Sequence, residues 1–191
     1  MIIKQFIIII GIILAILSIY FGSILPLQKS RSFINSISQL GLAKNIGEVK
    51  KILGSALDFY SPVGQEEIVR FIGSQMAGII NPQQQEQVMR ELVSYIEQYI
   101  FKNNSKHLLT MALSYERLFL SYKNPEDLEK TKNYYQKVLA LSQKSPQALY
   151  GLFGIYQAQK DYDNAKKISE IILKYWPNDE KIKKIINESG N

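Results

Sequence analysis

The chain has 191 residues, 46% of them hydrophobic, a length that supports one modest core or a short helical stack with an appendage. With no cysteine there is neither a disulfide framework nor a thiolate metal site, and the single histidine, His107, has no second ligand with which to hold zinc. The formal charge of +6 is almost all lysine, scattered among acids on expected helix exteriors; with only Arg31, Arg70, Arg90 and Arg117 as arginines, it describes a solvated surface and no nucleic-acid face.

After a tail of residues 1–5, Phe6–Leu25 runs about twenty residues without a charge and is dominated by Ile and Leu. As a helix it would be roughly 30 Å long, the thickness of the bilayer hydrocarbon. Its Ile, Leu and Phe side chains favour insertion by ~4–8 kcal/mol in total. Tyr20 and Phe21 stand near the far end, where amphipathic rings prefer the interface, and Pro26 is expected to end the helix. A cleaved signal peptide would have a shorter apolar run and a small-residue cleavage site, and Phe21-Gly22-Ser23 is a poor one. The expectation is therefore an uncleaved, single-pass membrane anchor. The α-amine and Lys4 on one flank and Lys29, Arg31 and the more distant Lys44 on the other nearly balance, leaning slightly toward a cytoplasmic C-terminal side, whereas a short N-terminal tail before a first anchor commonly stays cytoplasmic and points the other way.

Residues 26–104 read as helical. Ser30–Leu42 and Gly47–Phe59 are two expected helices joined near Lys44-Asn45, the second with Val49, Ile52, Leu53, Ala56 and Leu57 on one face. Gln65–Ile80 follows, with Ile68, Phe71, Ile72 and Met76 inward and Glu66 and Glu67 in the first turn, where the helix dipole favours acids. Asn81-Pro82 has the form of a capped start for a helix over Gln83–Lys102 that buries Val88, Leu92, Tyr95, Ile96, Tyr99 and Ile100.

From residue 105 the pattern becomes that of paired helices: Ser105–Tyr122 with Pro125–Leu141, then a pair within Pro146–Asp179. In the last, Leu149, Leu152 and Tyr156 form an apolar face. The turn Lys160-Asp161-Tyr162-Asp163 leads to a helix in which Ala165 marks a close approach, and Pro177 closes it. Residues 180–191 supply a lysine-rich capping helix and tail.

The 34-residue segment Pro146–Asp179, PQALYGLFGIYQAQKDYDNAKKISEIILKYWPND, resembles a tetratricopeptide repeat. One departure is that the small residue of the first helix falls at Phe153, with Gly154 one place later. Residues 105–145, ending in YYQKVLALSQKSPQ, resemble a second such unit with an extended hairpin. An ungapped match pairs Leu118, Phe119, Tyr122, Val138 and Leu139 with Leu152, Phe153, Tyr156, Ile172 and Leu173. A second register inserts about seven residues and places Leu108, Met111, Ala112 and Tyr115 on the matching face; it puts Ala112 at the small position and is preferred. Ser30–Val63 resembles a degenerate unit. The resemblance implies an all-α fold, an anchor followed by a short solenoid of antiparallel helix pairs, and a protein or peptide ligand. The groove face it implies consists of Lys106, Leu109, Leu113 and Glu116 in one unit and Gln147, Tyr150, Gly154 and Gln157 in the next.

The whole order is also similar to the C-terminal portion of bacterial O-antigen ligase or polymerase-like membrane proteins with a repeat tail. Tyr20–Gln28 (YFGSILPLQ), Ala56–Arg70 (ALDFYSPVGQEEIVR) and Ser105–Ser145 carry that likeness. It implies a tail facing outward, against the slight lean of the flank charges. The sugar-transfer chemistry of that family lies in spans that this sequence lacks. Gly151 and Gly154 sit in an expected helix and form no phosphate loop. The acidic pairs Glu66-Glu67 and Asp161/Asp163 fall at a helix start and a repeat turn. No catalytic, cofactor or metal residue is therefore expected. The reading is a membrane-tethered binding scaffold for an envelope or membrane complex. The alternative is a partial or split O-antigen ligase-like protein, accessory to surface polysaccharide transfer.

Overall fold

A computed structural model of the chain describes residues 2–189, with side chains described for 4–186. Every described element is helical, and no strand occurs among these residues; the chain is all-α. It divides into two compact units, Met1–Ile72 and Gly73–Asn191.

The first unit begins with α1 (Ile2–Ile19), which opens the one continuous helix among the described residues, Lys4–Leu42, that is long and apolar enough to cross a membrane. Pro26 does not end it. The chain passes through a π-turn, Tyr20–Ile24, directly into α2 (Leu25–Gln39), and Pro26 sits in the first turn of α2. The amide of Leu25 reaches back five residues to the carbonyl of Tyr20. That wider turn makes room for a ring that would crowd an α-helical carbonyl, and Pro26 has no N–H to lose.

A 3-10 turn, Leu40–Leu42, ends this long helix. Helix α3 (Ile46–Leu57) then starts on Asn45, whose side chain accepts from the amide of Glu48 at 2.9 Å. In return the Glu48 carboxylate accepts from the amide of Lys44 at 2.8 Å. Leu53, Ala56 and Leu57 are buried, whereas Val49 and Ile52 are only half-buried. The seam between α2 and α3 carries polar contacts. Ser32 donates to the carbonyl of Ser55 at 2.8 Å, and the hydroxyls of Ser36 and Ser55 lie 2.9 Å apart. Lys29, 1% exposed, donates to the carbonyls of Ala56 at 3.2 Å and Phe59 at 2.5 Å. Its charge thus caps the C-terminal end of α3, where the helix dipole is negative.

Gly64, at φ +90, makes the turn into α4 (Gln65–Ile79), which has Glu66 and Glu67 in its first turn. Ile68, Val69 and Ile72 are buried, but Phe71 is 44% exposed rather than inward. Its ring meets Phe33 of α2 edge-on at 5.5 Å, a contact that draws it to the flank of the helix.

In the second unit, Asn81-Pro82 forms a turn and does not start a helix. The Asn81 side chain accepts from Gln83 at 2.9 Å and its carbonyl from Gln84 at 3.1 Å. These bonds close the chain on itself, and α5 begins only at Glu86 and ends at Glu97. Leu92 and Ile96 are buried with Met89 and Val93, while Val88, Tyr95, Tyr99 and Ile100 are half-buried. The helix stops short of Lys102 because the amides of Gln98 and Tyr99 bond three residues back. The amide of Phe101 then donates to Nδ1 of His107 at 3.0 Å. His107, 1% exposed, thereby closes this turn, a structural role.

Helices α6 (Ser105–Tyr122) and α7 (Pro125–Leu141) form one hairpin, and α8 (Pro146–Ala158) with α9 (Tyr162–Tyr175) a second. Each turn is built alike: a lysine in the left-handed region, Lys123 or Lys160, followed by a capping Asn124 or Asp161. The first hairpin is longer, with 18 and 17 residues against 13 and 14. Leu108, Met111, Ala112, Tyr115 and Leu118 are all buried, as are Leu149, Leu152, Phe153 and Tyr156, whereas Phe119 and Tyr122 are half-exposed. In the second helices Thr131, Tyr135 and Val138 are buried, and so are Ala165, Ser169 and Ile172. Burial of one such aliphatic side chain contributes about 1.5–3 kcal/mol. Helix α10 (Glu180–Ser189) lays the buried Ile182 onto this core.

Candidate interaction surface

The eight residues expected to line a groove fall on two helices. On α6, Lys106 and Leu113 are exposed, Leu109 packs partly against the core, and Glu116 accepts a hydrogen bond from Tyr135 at 2.9 Å. On α8, Gln147 and Gly154 are exposed, the latter in open space. Tyr150 and Gln157 are half-buried and lie in separate clefts. Tyr150 shares one with Tyr175 and Trp176; Gln157 shares another with Phe153, Ala165 and Ile185. Tyr150 donates to the carboxylate of Asp179, which also caps α10 by accepting from Ile182 at 3.0 Å. That bond, with burial second, pushes the Tyr150 hydroxyl up to about 12.

A cleft that local sequence patterns do not reveal lies between α5, the turn after it and the α6–α7 hairpin, with a volume of about 860 Å³. Ser94, Glu97, Gln98, Lys102, Tyr134 and Lys137 supply its polar lining. Glu97, at the last position of α5, accepts from Tyr115 of α6 at 2.6 Å and from Tyr134 of α7. The two rings stack at 5.8 Å. Lys130 stands 4.7 Å from the Tyr115 ring centre and Lys137 5.2 Å from that of Tyr134. Burial first, and then the bonds to Glu97, hold both phenols protonated well above the ordinary tyrosine range. A carboxylate fixed by two donors cannot swing to solvent, so this wall keeps its shape.

The rim of the same unit is fixed by a charge pair. Arg90 of α5 meets both oxygens of Asp127 on α7 at 2.8 Å, and Asp127 is wholly buried. Tyr122 brings its hydroxyl to the carbonyls of Asn81 and Gln84, at 3.0 and 3.1 Å, pinning the loop before α5. Among the described residues no group of His, Asp or Glu could hold a metal ion.

No family model matches this chain, and neither a curated protein nor a solved structure matches it. What the fold defines is an all-helical protein with one apolar N-terminal helix and a run of helical hairpins. The tetratricopeptide and O-antigen ligase likenesses rest on the residues that suggested them.

Proposed function

We propose that the chain is a membrane-tethered helical-hairpin protein of the tetratricopeptide kind that holds another protein. It is a scaffold or assembly factor of a membrane or envelope complex, without a catalytic role. The observation that carries the reading is the cleft beside Glu97. Its mixed wall of two lysines, a serine, a glutamine and a fixed carboxylate, with Ile100 and Leu108 beneath, suits the backbone and side chains of an extended peptide or a partner helix. Helix α1 would tether this unit to the membrane, with the helical units on the outer face as the ligase likeness implies.

The test is photocrosslinking in intact cells. A benzophenone residue at Gln98, in the cleft, should give one discrete adduct with a second protein, while the same residue at exposed Glu170 of α9 should not. No adduct from Gln98, Leu113 or Gln147 would remove the binding reading. Protease added outside intact cells should cleave the helical units; protection that ends only on lysis would reverse the orientation.

A further inference from the structure

The α3–α4 loop, residues 58–64, carries a second apolar surface whose place is fixed by the first unit alone. Helix α1, the π-turn and α2 form one unbroken helix, so height above the end of the apolar run follows from residue count at 1.5 Å each. Pro26 and Lys29 lie about 1.5 and 6 Å beyond Leu25 on that scale. Lys29 is bonded to the carbonyl of Phe59 at 2.5 Å, and a Cβ on Gly64 would stand 3.8 Å from its Cδ. Val63 and Gly64 share a cleft with Pro26 and Lys29. The loop is therefore held level with the first turn of α2. The headgroup layer on each side of a bilayer is roughly 5–7 Å thick, so that level lies inside it.

What the loop displays at that level is an amphipathic ring and a branched aliphatic: Tyr60 is 69% exposed and Val63 58%, with Leu27 beside α2's first turn at 52%. Tyrosine prefers the membrane interface because its ring is apolar and its hydroxyl is not. Val63 lies at the mouth of the cleft it shares with Pro26 and Phe33, and the seam between α2 and α3 is occupied by the bonded hydroxyls of Ser32, Ser36 and Ser55.

We infer that the α3–α4 loop is a second membrane contact, with Tyr60 and Val63 seated in the lipid headgroup layer beside the emerging helix. Two points of contact hold the first unit at a set tilt, where a lone span would let it swivel. The inference rests on α1 spanning the bilayer.

The natural chain has no cysteine, so single labels are clean. Full-length Leu14→Cys, Val63→Cys and Leu42→Cys chains, each carrying a nitrobenzoxadiazole label, are reconstituted in phosphatidylcholine–phosphatidylglycerol vesicles with or without brominated lipid. Quenching at positions 14 and 63 by at least twofold, with none at position 42, is expected. Quenching at 14 without quenching at 63 overturns the loop contact and leaves the span standing. A blue-shifted label at 63 that bromine does not touch reports a protein partner, and also overturns it. Absence of quenching at all three overturns the span and the loop contact together.

Discussion

Gly151 of α8 lies against the ring of Tyr135 of α7: a Cβ on that glycine would come within 2.5 Å of two ring carbons. Tyr135 is 1% exposed and its hydroxyl is bonded to Glu116, so the ring has nowhere to retreat. The close approach between the two hairpins is thus made at Gly151, two places before the position where the repeat likeness calls for a small residue.

Two glycines on one helix should therefore respond in opposite directions. Gly151→Ala should destabilise the second unit by about 1–3 kcal/mol through overpacking, more than the helix propensity it gains. Gly154→Ala, with open space around it, should stabilise by about 0.5–1 kcal/mol. Denaturant midpoints of the two variants decide this; equal shifts of the same sign would refute the contact.

The Arg90–Asp127 pair should be asymmetric. Arg90→Ala strands a carboxylate with no exposure and should cost about 3–5 kcal/mol. Asp127→Ala leaves a guanidinium that is 29% exposed and can still reach water and Glu86, so about 1–3 kcal/mol is expected. A Met–Leu replacement of the pair should recover most of the loss. These values are read from equilibrium unfolding, and an asymmetry in the opposite order would count against the burial of Asp127.

Alkaline pH should unfold the second unit before it affects much else. Tyr115, Tyr134, Tyr135 and Tyr150 all have hydroxyls pushed above the ordinary value of 10.0, Tyr150 to about 12. Their folded state favours the protonated form, so the stability they contribute is complete below pH 10 and falls as pH rises through 10 to 12 and beyond. Unfolding midpoints at pH 9, 10, 11 and 12 should be flat and then drop, and Tyr115→Phe should flatten the drop. A midpoint that holds constant to pH 12 would contradict the phenol–carboxylate network.

Local signals carried most of the helical plan. Asn45 and Asp161 stand where a cap precedes an apolar stripe, and the faces through Leu108 and Leu149 repeat with helical spacing. Misreadings came where a local rule met a competing contact. Pro26 is a helix breaker by rule, yet a π-turn accommodates it. Asn81-Pro82 has the form of a helix start, but its bonds are spent on a turn. Phe71 fits the inward stripe and is instead claimed by Phe33. The Glu97 cleft was invisible because its tyrosines arrive from 18 and 37 residues away, and such bonds leave no periodic trace.

The π-turn at Tyr20–Ile24 acts as a phase shifter. One extra residue in a helical turn advances every later side chain by about 100° around the axis. Deleting a residue there, such as Gly22, would rotate the α2–α3 pair by that angle about the axis of α1 without disturbing a single contact within the pair. The direction in which the α2–α3 pair faces around α1 is thus set by the register of five residues that lie outside that pair.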